Sequence, residues 1–389
     1  MASAFSGNAE INGIWYLIVT KAKEAKVIKP ESGNYSGDIV IPSTIEYDGI
    51  ICNVVAIQGG FNGNTKLNSV TIPNSITSIP NYAFDGCTGL TSVNIQNSVT
   101  SIGVAAFRKC TSLTSFTIPS SVTNIEGSAF SGCSGFTSFT IPGNVTSLGW
   151  SVFEGCTGLT SINISENITK IPNNTFQNCT GLKNVTIPNS VTIIETNAFR
   201  GCSSLISITI GNGVGSIGTC AFAYCPELTD VYCYSENVPS AANTRPFEGS
   251  YIDYATLHVP DASLEKYKKS EPWSGFRYIV GFEEEKTPKC ATPTITFVDG
   301  KLKFDCETED VDFVYDIINS DVNKGNAAEV ASGGIYKVSV YAAKVGFMNS
   351  DMATLEFNLK SNDDVCDVNH DGTVDVADIS TIIDKMAGK

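Results

Sequence analysis

Histidine is almost absent from this chain of 389 residues, which contains only His258 and His370. Because imidazole is a frequent proton-transfer group and metal ligand, few sites of either kind can be built from this sequence. Charged residues are also scarce, at 17%, against about a quarter in an average protein. The 25 basic and 40 acidic residues give a formal net charge of -15. We therefore expect no nucleic acid partner and no binding to an anionic membrane surface.

Long hydrophobic runs are missing as well. No stretch reaches about 18 consecutive apolar residues, so no transmembrane segment is predicted. The first nine residues lack the basic and apolar regions of a signal peptide. The protein is therefore expected to be cytoplasmic, or to be an exported protein whose leader is missing from this sequence. Hydrophobic residues still make up 42%, which is enough to form a packed core.

A 23-residue repeat occupies much of the chain. Phenylalanine recurs in every unit, at Phe61, Phe84, Phe107, Phe130, Phe153, Phe176, Phe199 and Phe222. Cysteine follows three residues later, at Cys87, Cys110, Cys133, Cys156, Cys179, Cys202 and Cys225, and Asn64 fills the first of these positions. A leucine column, with Phe136 as its exception, runs from Leu67 to Leu228. Repeats of this length are typical of solenoids, in which stacked units share one core.

Each unit predicts two short extended segments and a tight turn. Ser92–Ile95 alternates polar and apolar residues, which is typical of a strand with one buried face. Val99 and Ile102 mark the second extended segment, and the Ala-Phe pair that follows is predicted to point inward from a tight helical turn. Because no unit can bury its apolar residues alone, we expect eight or nine units to stack at the strand spacing of about 4.8 Å.

These motifs resemble those of a known repeat class. The segment Leu90-x-x-Val93-x-Ile95 resembles the leucine-rich-repeat consensus, and the 23-residue form with Ala-Phe-x-x-Cys and Ile-Pro-x-Ser-Val-Thr resembles the BspA-like class. The resemblance covers residues 50 to 280. It implies a secreted or surface protein of bacteria or some protozoa, and a role in adhesion. The expected function is therefore a non-catalytic secreted or cell-surface bacterial protein that binds an extracellular protein or polysaccharide through the solenoid face.

The predicted fold is a β-rich leucine-rich-repeat solenoid with N- and C-terminal caps, followed by a small β-sandwich and a short EF-hand-like tail. The predicted boundaries are 1–49 for the first cap, 50–282 for the solenoid with its second cap, 290–360 for the sandwich and 361–389 for the tail. Ile14–Val19 and residues 38–41 are predicted strands of the first cap. Residues 243–250 are predicted to be an insertion, and Trp273 is predicted to be a buried residue of the second cap.

The region after the repeats predicts a chain of antiparallel strands. Predicted strands cover residues 294–298, 301–305, 313–317, 335–342 and 353–359, with the first two forming a hairpin. Such a succession favours a β-sandwich. The segment from Tyr341 to Phe347 resembles the fibronectin-like or chitobiase C-terminal-like sandwiches of secreted bacterial proteins, which implies a spacer module.

Residues 367–378 fit the twelve-residue calcium loop, with oxygen-bearing side chains at positions 1, 3, 5 and 9 and glycine at position 6. The predicted ligands of one calcium ion are Asp367, Asn369, Asp371, Thr373, Asp375 and Asp378, with Thr373 contributing its backbone carbonyl. The alternative is an Asx-rich turn that binds no calcium ion. Aspartate at the last position, followed by an isoleucine-rich helix, resembles one of the two repeats of a dockerin. That resemblance implies a cohesin-like partner and an alternative function as a non-catalytic scaffold of an extracellular glycan-degrading assembly.

The remaining candidate residues carry weaker predictions. The seven column cysteines are predicted to be buried thiols, because side chains in a parallel column are poorly oriented for disulfides and cannot surround a metal. A bridge between Cys290 and Cys306 stays open. The outward residues of the first strands are small hydroxyls and amides, which fit either a merely solvated face or a broad binding surface. No carboxylate pair, Ser-His-Asp set or phosphate loop stands out, so no enzymatic activity is predicted.

Overall fold

The short strands of successive repeats lie side by side, because each strand has one apolar side that only a neighbouring unit can bury. The computed structural model describes residues 6–241, 245–282, 291–298, 301–309, 312–319, 333–343 and 353–360. The chain divides into two units, Met1–Phe282 and Glu283–Lys389. The first unit contains a β-solenoid of leucine-rich-repeat type with nine coils, each marked by a phenylalanine in one continuous stack.

Six strands begin the first unit: β1 (Ser6–Ile11), β2 (Ile14–Val19), β3 (Glu24–Ile28), β4 (Gly37–Val40), β5 (Thr44–Tyr47) and β6 (Ile50–Gln58). Five of them form one sheet in the order β1-β2-β3-β6-β5. The predicted strand over residues 14–19 is confirmed by β2. Because β6 belongs to this sheet, the sheet extends past the predicted boundary at residue 49. The strand predicted over residues 38–41 is β4, and it pairs with the first strand of the first coil instead of joining this sheet.

The coils supply two columns of parallel strands. The first strands are β7 (Leu67–Ile72), β9 (Ser92–Ile95), β12 (Ser138–Ile141), β14 (Ser161–Ile164), β16 (Asn184–Ile187), β18 (Ser207–Ile210) and β20 (Asp230–Cys233). The second strands are β8 (Ser78–Ile79), β10 (Ser101–Ile102), β11 (Asn124–Ile125), β13 (Ser147–Leu148), β15 (Lys170–Ile171), β17 (Ile193–Ile194) and β19 (Ser216–Ile217). Neighbours pair 23 residues apart, as in Ser138 with Ser161.

The column of first strands is interrupted in one coil, where residues 115–118 form no ladder with their neighbours. Phe116 stands here at the inward position that Val93 occupies one coil earlier. Its ring lies 4.9 Å from Phe107 and 4.8 Å from Phe130, with edge-on geometry in both cases. Phe139 holds the same inward position one coil later, and its strand β12 still pairs with β14, so a phenylalanine at this position does not by itself abolish strand pairing.

The segment around each phenylalanine was predicted to be a helical turn, and the structure corrects this. Alternate N–H groups point along the solenoid axis, so the Phe84 N–H donates to the Ala106 carbonyl of the next coil at 2.7 Å. The Gly86 N–H donates in the same way to the Arg108 carbonyl. Tyr82 and Gly86 have φ angles of 58° and 73°, and these left-handed residues direct the alternate N–H groups towards the next coil. The turn is therefore a third hydrogen-bonded ladder between coils.

The phenylalanine rings stack from coil to coil at centroid distances such as 5.1 Å between Phe84 and Phe107. Phe247 continues the stack at 5.5 Å from Phe222, although it follows after 25 residues instead of 23. Ser250 then fills the cysteine position, and its hydroxyl donates to the Phe222 carbonyl. Residues 243–250 were predicted to be an insertion, but the part of this segment that the structure describes completes a ninth, longer coil.

The first unit ends with β21 (Thr256–Pro260), the helix α1 (Leu264–Tyr267) and β22 (Tyr278–Phe282), with 3-10 turns at Ile252–Tyr254, Asp261–Ser263 and Trp273–Gly275. Trp273 is fully buried, as predicted. Its indole N–H donates to the Pro239 carbonyl at 3.1 Å, and its ring packs edge-on against Phe247. The last phenylalanine of the stack is therefore covered by a second aromatic side chain.

The second unit contains an antiparallel hairpin of β23 (Thr294–Val298) and β24 (Lys301–Asp305). It also contains a three-stranded antiparallel sheet, β25 (Asp312–Asn319), β26 (Gly333–Ala343) and β27 (Ala353–Lys360), in that order. All five predicted strands are present within two residues of their predicted ends. Residues 361–389, with the predicted calcium ligands and helix, lie outside the described residues.

Candidate binding surface

Two columns of small polar side chains run along the outer side of the first strands, because alternate residues of a strand point to opposite faces. The first column contains Ser69, Ser92, Ser115, Ser138, Ser161, Asn184, Ser207 and Asp230. The second contains Thr71, Asn94, Thr117, Thr140, Asn163, Thr186, Thr209 and Tyr232. The strand register joins members of each column directly, as in Thr186 with Thr209 and Tyr232. We call these two columns the strand face.

The strand face is electrically neutral over most of its length. Its first seven coils present only hydroxyl and amide side chains, and Asp230 introduces the first charge. At the other end β4 places Asp38 beside Ser69. The Asp38 carboxylate accepts hydrogen bonds of 2.6 Å from Asn68 Nδ2 and from Ser69 Oγ, and these bonds lower the pKa of the carboxyl. A positively charged partner would therefore find carboxylates only at the two ends of the strand face, at Asp38 and Asp230.

Many side chains of the strand face remain open to solvent, including Ser92, Asn94, Asn184 and Thr186. Hydroxyls in the row just before the first column join the coils instead. Thr160 Oγ1, for example, donates to the carbonyl of the residue 23 positions earlier at 2.9 Å. The face thus combines a fixed backbone with rows of donors and acceptors that repeat at the strand spacing of about 4.8 Å. Such rows suit an extended partner that offers polar groups at regular intervals.

The C-terminal end of the strand face is aromatic. The second column continues from Tyr232 in β20 to His258 in β21, and their rings stack at a centroid distance of 4.3 Å. His258 Nε2 lies 3.1 Å from Asp230 Oδ1, which fixes the imidazole over the strand. Beyond them, Tyr278 of β22 is 55% exposed. We call Asp230, Tyr232, His258 and Tyr278 the aromatic end.

The aromatic end was not predicted from the sequence as a unit. The outward residues of the first strands were described only as small hydroxyls and amides, His258 was noted only as one of the two histidines, and Tyr278 was not singled out. The signal was present in the columns, because Tyr232 is the only member of its column that is neither threonine nor asparagine. The link to His258 could not be found by counting, since it lies 26 residues after Tyr232 and breaks the period.

The seven column cysteines are buried free thiols, as predicted. Each donates its S–H to the carbonyl of the phenylalanine in the preceding coil, for example Cys110 Sγ to the Phe84 carbonyl at 3.2 Å. Burial raises the pKa of the Cys87, Cys156 and Cys225 thiols to about 12. Thiols that are buried and protonated cannot serve as nucleophiles or metal ligands at neutral pH.

The other predicted sites lie at or beyond the limits of the described residues. Cys306 is a free, half-buried thiol whose Sγ donates to the Ala291 carbonyl at 3.1 Å, and Cys290 lies outside the described residues. The predicted calcium ligands from Asp367 to Asp378 also lie outside them. Within the part of the chain that the structure describes, no three His, Cys, Asp or Glu side chains are grouped for metal binding. The helices of that part are all too short or too polar to cross a membrane.

A solved structure of a bacterial protein shares this fold. The chain is similar to a leucine-rich repeat protein from Bacteroides ovatus, with a TM-score of 0.56 and 22% identity over 70% of this chain and 76% of that one. Weaker likenesses are to a leucine rich cell surface protein from Faecalibacterium prausnitzii (TM-score 0.42, 25% identity, 72% of this chain and 96% of that one) and to the T. pallidum leucine rich repeat protein (TM-score 0.40, 24% identity, 57% and 91%).

The repeat itself also matches a known family. No curated protein matches the chain. Six copies of the BspA type leucine rich repeat region match residues 57–183 and 151–266. Together these matches cover 210 of the 389 residues, which is more than half of the chain. With the coils, the phenylalanine stack and the cysteine ladder, they show that the chain belongs to the BspA-type leucine-rich-repeat family.

Proposed function

We propose that this protein is a non-catalytic binding protein of the bacterial cell surface or exterior, which holds an extracellular protein or polysaccharide on its strand face. The observation that carries the proposal is the strand face itself, two in-register columns of neutral polar side chains that end in the aromatic end. The family supports a location outside the cell, because BspA-like repeats resemble those of secreted and surface proteins.

A binding role fits the chemistry of the described residues better than an enzymatic one. The column thiols are buried and protonated, and the His258 imidazole is stacked on Tyr232 and held by Asp230. Repeat proteins of this type use a broad surface to bind partners. We therefore assign the strand face to recognition, in which many weak polar contacts add up along the solenoid.

We also propose roles for the ends of the chain. The N-terminal sheet and the elements around Trp273 would act as caps, since a solenoid needs its last apolar coil covered. The second unit would act as a small β-sandwich spacer, and residues 367–378 would bind one calcium ion through the ligands predicted above. The scaffold function, with a cohesin-like partner, is supported by none of the comparisons and rests on residues outside the described part, so we do not carry it forward.

The test is a binding screen with a pair of matched variants. Ser138 on β12 and Ser147 on β13 are exposed serines of the same coil, but only Ser138 belongs to the strand face. The full chain is screened against extracellular matrix proteins and neutral polysaccharides, and each ligand found is then measured with Ser138→Arg and Ser147→Arg. We expect Ser138→Arg to weaken binding at least tenfold and Ser147→Arg to leave it unchanged. Equal effects of the two variants, or no effect of either, would rule out the strand face as the binding surface.

A further inference from the structure

Trp150 lies on a different side of the solenoid from the strand face. It follows the second strand β13 and begins the turn that leads to Phe153. Its side chain is 55% exposed, whereas Trp273 is fully buried. Exposed tryptophan is expensive to leave in water and is enriched at binding surfaces, so its position needs an explanation.

The indole of Trp150 has one face packed and one face open. A Cβ atom added to Gly127, in the preceding coil, would lie 2.7 Å from Nε1, 2.8 Å from Cε2 and 3.2 Å from Cδ1 of Trp150. Because these three bonded ring atoms are almost equally close, Gly127 lies under the flat face of the ring and not at its edge. The backbone of the preceding coil therefore supports the indole from below, and its exposure comes from the opposite face.

This arrangement is a specific departure from the repeat. The residues equivalent to Trp150 in the other coils are Asn81, Val104, Gly127, Asn173, Thr196 and Thr219. The single glycine of this row stands one coil before the single tryptophan. Any side chain at position 127 would occupy the space of the indole, so the two residues form one complementary pair. A ring that was present only to fill space would need no such partner.

The same molecule shows what covers a ring of this kind. Tyr224 also lies on a glycine, since a Cβ at Gly249 would come within 2.9 Å of its Cδ1. From the preceding coil, Arg200 places its guanidinium carbon 4.8 Å from the Tyr224 ring centroid. Tyr224 thus has a glycine on one side and a cation at its ring. Trp150 has the glycine, and tryptophan attracts cations more strongly than tyrosine does.

Two of the other exposed rings also have a cation nearby, whereas no lysine or arginine in the described part of the chain lies over the exposed rings of Tyr251 and Tyr254. Arg108 lies 5.8 Å from the centroid of Tyr82, and Arg277 lies 5.4 Å from that of Tyr278. Among the described residues no lysine or arginine lies over the Trp150 ring, and residues 111–169 contain neither. The only charges in this stretch are Glu126, Glu154 and Glu166. Lys170, in the following coil, is paired with Glu195. Glu126 directly precedes the supporting glycine, and its Oε1 accepts a hydrogen bond of 2.6 Å from Asn124 Nδ2.

We propose that Trp150 and Glu126 form a second binding site, which takes the guanidinium or ammonium group of a basic segment in a partner protein. The open face of the indole would hold the cation, and the carboxylate of Glu126, the residue next to the supporting glycine, would supply the opposing charge. The stretch of three glutamates without a base makes the surroundings complementary to a positive partner and unfavourable for an anionic one.

The experiment uses the full chain and a fluorescein-labelled hexapeptide of alternating arginine and glycine, measured by fluorescence anisotropy. A peptide with citrulline in place of arginine has the same shape and no charge. We expect Trp150→Ala to weaken binding of the arginine peptide at least fivefold, and Gly127→Ala to weaken it because the added Cβ displaces the indole. We expect the citrulline peptide to bind the unmodified protein no better than the arginine peptide binds Trp150→Ala.

Matched controls separate the site from the general attraction of an acidic chain. Glu126→Gln and Glu166→Gln change the net charge equally, and only Glu126→Gln should reduce affinity beyond the common electrostatic effect. Tyr224→Ala removes an exposed ring that already has its own cation, and it should leave affinity unchanged. Equal loss in both glutamine variants, or equal binding of the two peptides, would overturn the proposal. Binding of neutral oligosaccharides that depends on Trp150, without binding of the arginine peptide, would replace it with a glycan site.

Discussion

A single cysteine of the ladder has two roles in the folded chain. Its sulfur fills a small apolar space beside the phenylalanine stack, and its S–H satisfies a carbonyl of the preceding coil, as Cys133 does for Phe107 at 3.1 Å. Serine would supply a stronger donor but less apolar volume, and the structure uses it at Ser250, in the longer last coil. Asn64 occupies the first position, where its Nδ2 donates to the Gly60 carbonyl at 3.3 Å.

The ladder predicts a specific dependence of stability on pH. Burial raises the pKa of Cys87, Cys156 and Cys225 to about 12, against about 8.5 in an unfolded chain. The folded state therefore holds these protons more tightly. The resulting contribution to the free energy of unfolding is fully present below about pH 8.5 and is lost as the pH rises towards the folded pKa. The loss is about 1.4 kcal/mol per pH unit for each thiol that is ionised only in the unfolded state.

Urea unfolding of the protein at pH 7.0 and pH 9.5 measures this effect. We expect a lower free energy of unfolding at pH 9.5. Cys133→Ala removes one titrating thiol and should make the fall smaller. A free energy that is the same at both values would mean that the thiols are not buried in the protonated form.

At the scale of one coil, the approach of neighbouring backbones limits which residues fit. Gly149 precedes the turn of its coil, and a Cβ there would lie 2.2 Å from the backbone nitrogen of Gly127. Gly143, in the same coil, has only side-chain atoms nearby, with Asn167 Nδ2 at 3.5 Å and Ser165 Oγ at 3.9 Å from such a Cβ. Neither residue has a positive φ angle, so space alone distinguishes the two positions.

Alanine at these two glycines should therefore have opposite consequences. Gly149→Ala should lower the free energy of unfolding by about 1–3 kcal/mol, because the added methyl group forces two coils apart. Gly143→Ala should be neutral or stabilise by up to about 1 kcal/mol, because it restricts only the unfolded chain. Urea unfolding of both variants is the measurement. A Gly149→Ala variant as stable as the parent would show that the coils are spaced more widely than described.

For the whole solenoid, stability is shared between neighbouring coils. Phe130 is fully buried and stacks on Phe107 and Phe153, at 5.6 and 5.8 Å. Phe130→Ala should cost about 3–5 kcal/mol, as for other buried aromatic residues. Because each coil contacts only its neighbours, unfolding should spread outward from this coil.

Tyr254, which is 72% exposed, supplies the control for this variant. Thermal unfolding followed by circular dichroism should show a large decrease in melting temperature for Phe130→Ala and almost none for Tyr254→Ala. If the two variants melted alike, the inward assignment of the phenylalanine column would be refuted.

The tail supplies a prediction that belongs to the other unit of the molecule. The side chains of Asp367, Asp371, Asp375 and Asp378 would repel one another without a cation, so calcium should order the predicted loop. Calcium should then slow proteolysis of residues 361–389, and Asp378→Ala should abolish this protection without changing the melting of the solenoid. Equal cleavage rates with calcium and with chelator would show that the loop is not a calcium site.

The sequence by itself determined the repeat, the buried columns and the neutral strand face. These features follow from a period of 23 that is kept without insertions from Phe61 to Phe222, because a constant period puts equivalent residues in register whatever the details of each coil. The same reasoning failed at the turn, where an Ala-Phe pair was taken for part of a helix. Local pattern could not show that left-handed residues such as Tyr82 direct alternate N–H groups into the next coil.

Only the tertiary structure decided which exceptional residues meet. Phe247 joins the stack after a coil of 25 residues, His258 stacks on Tyr232, and Trp150 lies on Gly127. Each of these contacts involves a residue that departs from the repeat, by its spacing in the case of Phe247 and by its side chain in the other cases. A residue that departs from the consensus has no column to predict its neighbour, and its partner is defined only when the coils have stacked. The distinctive chemistry of this surface therefore lies where the repeat is broken.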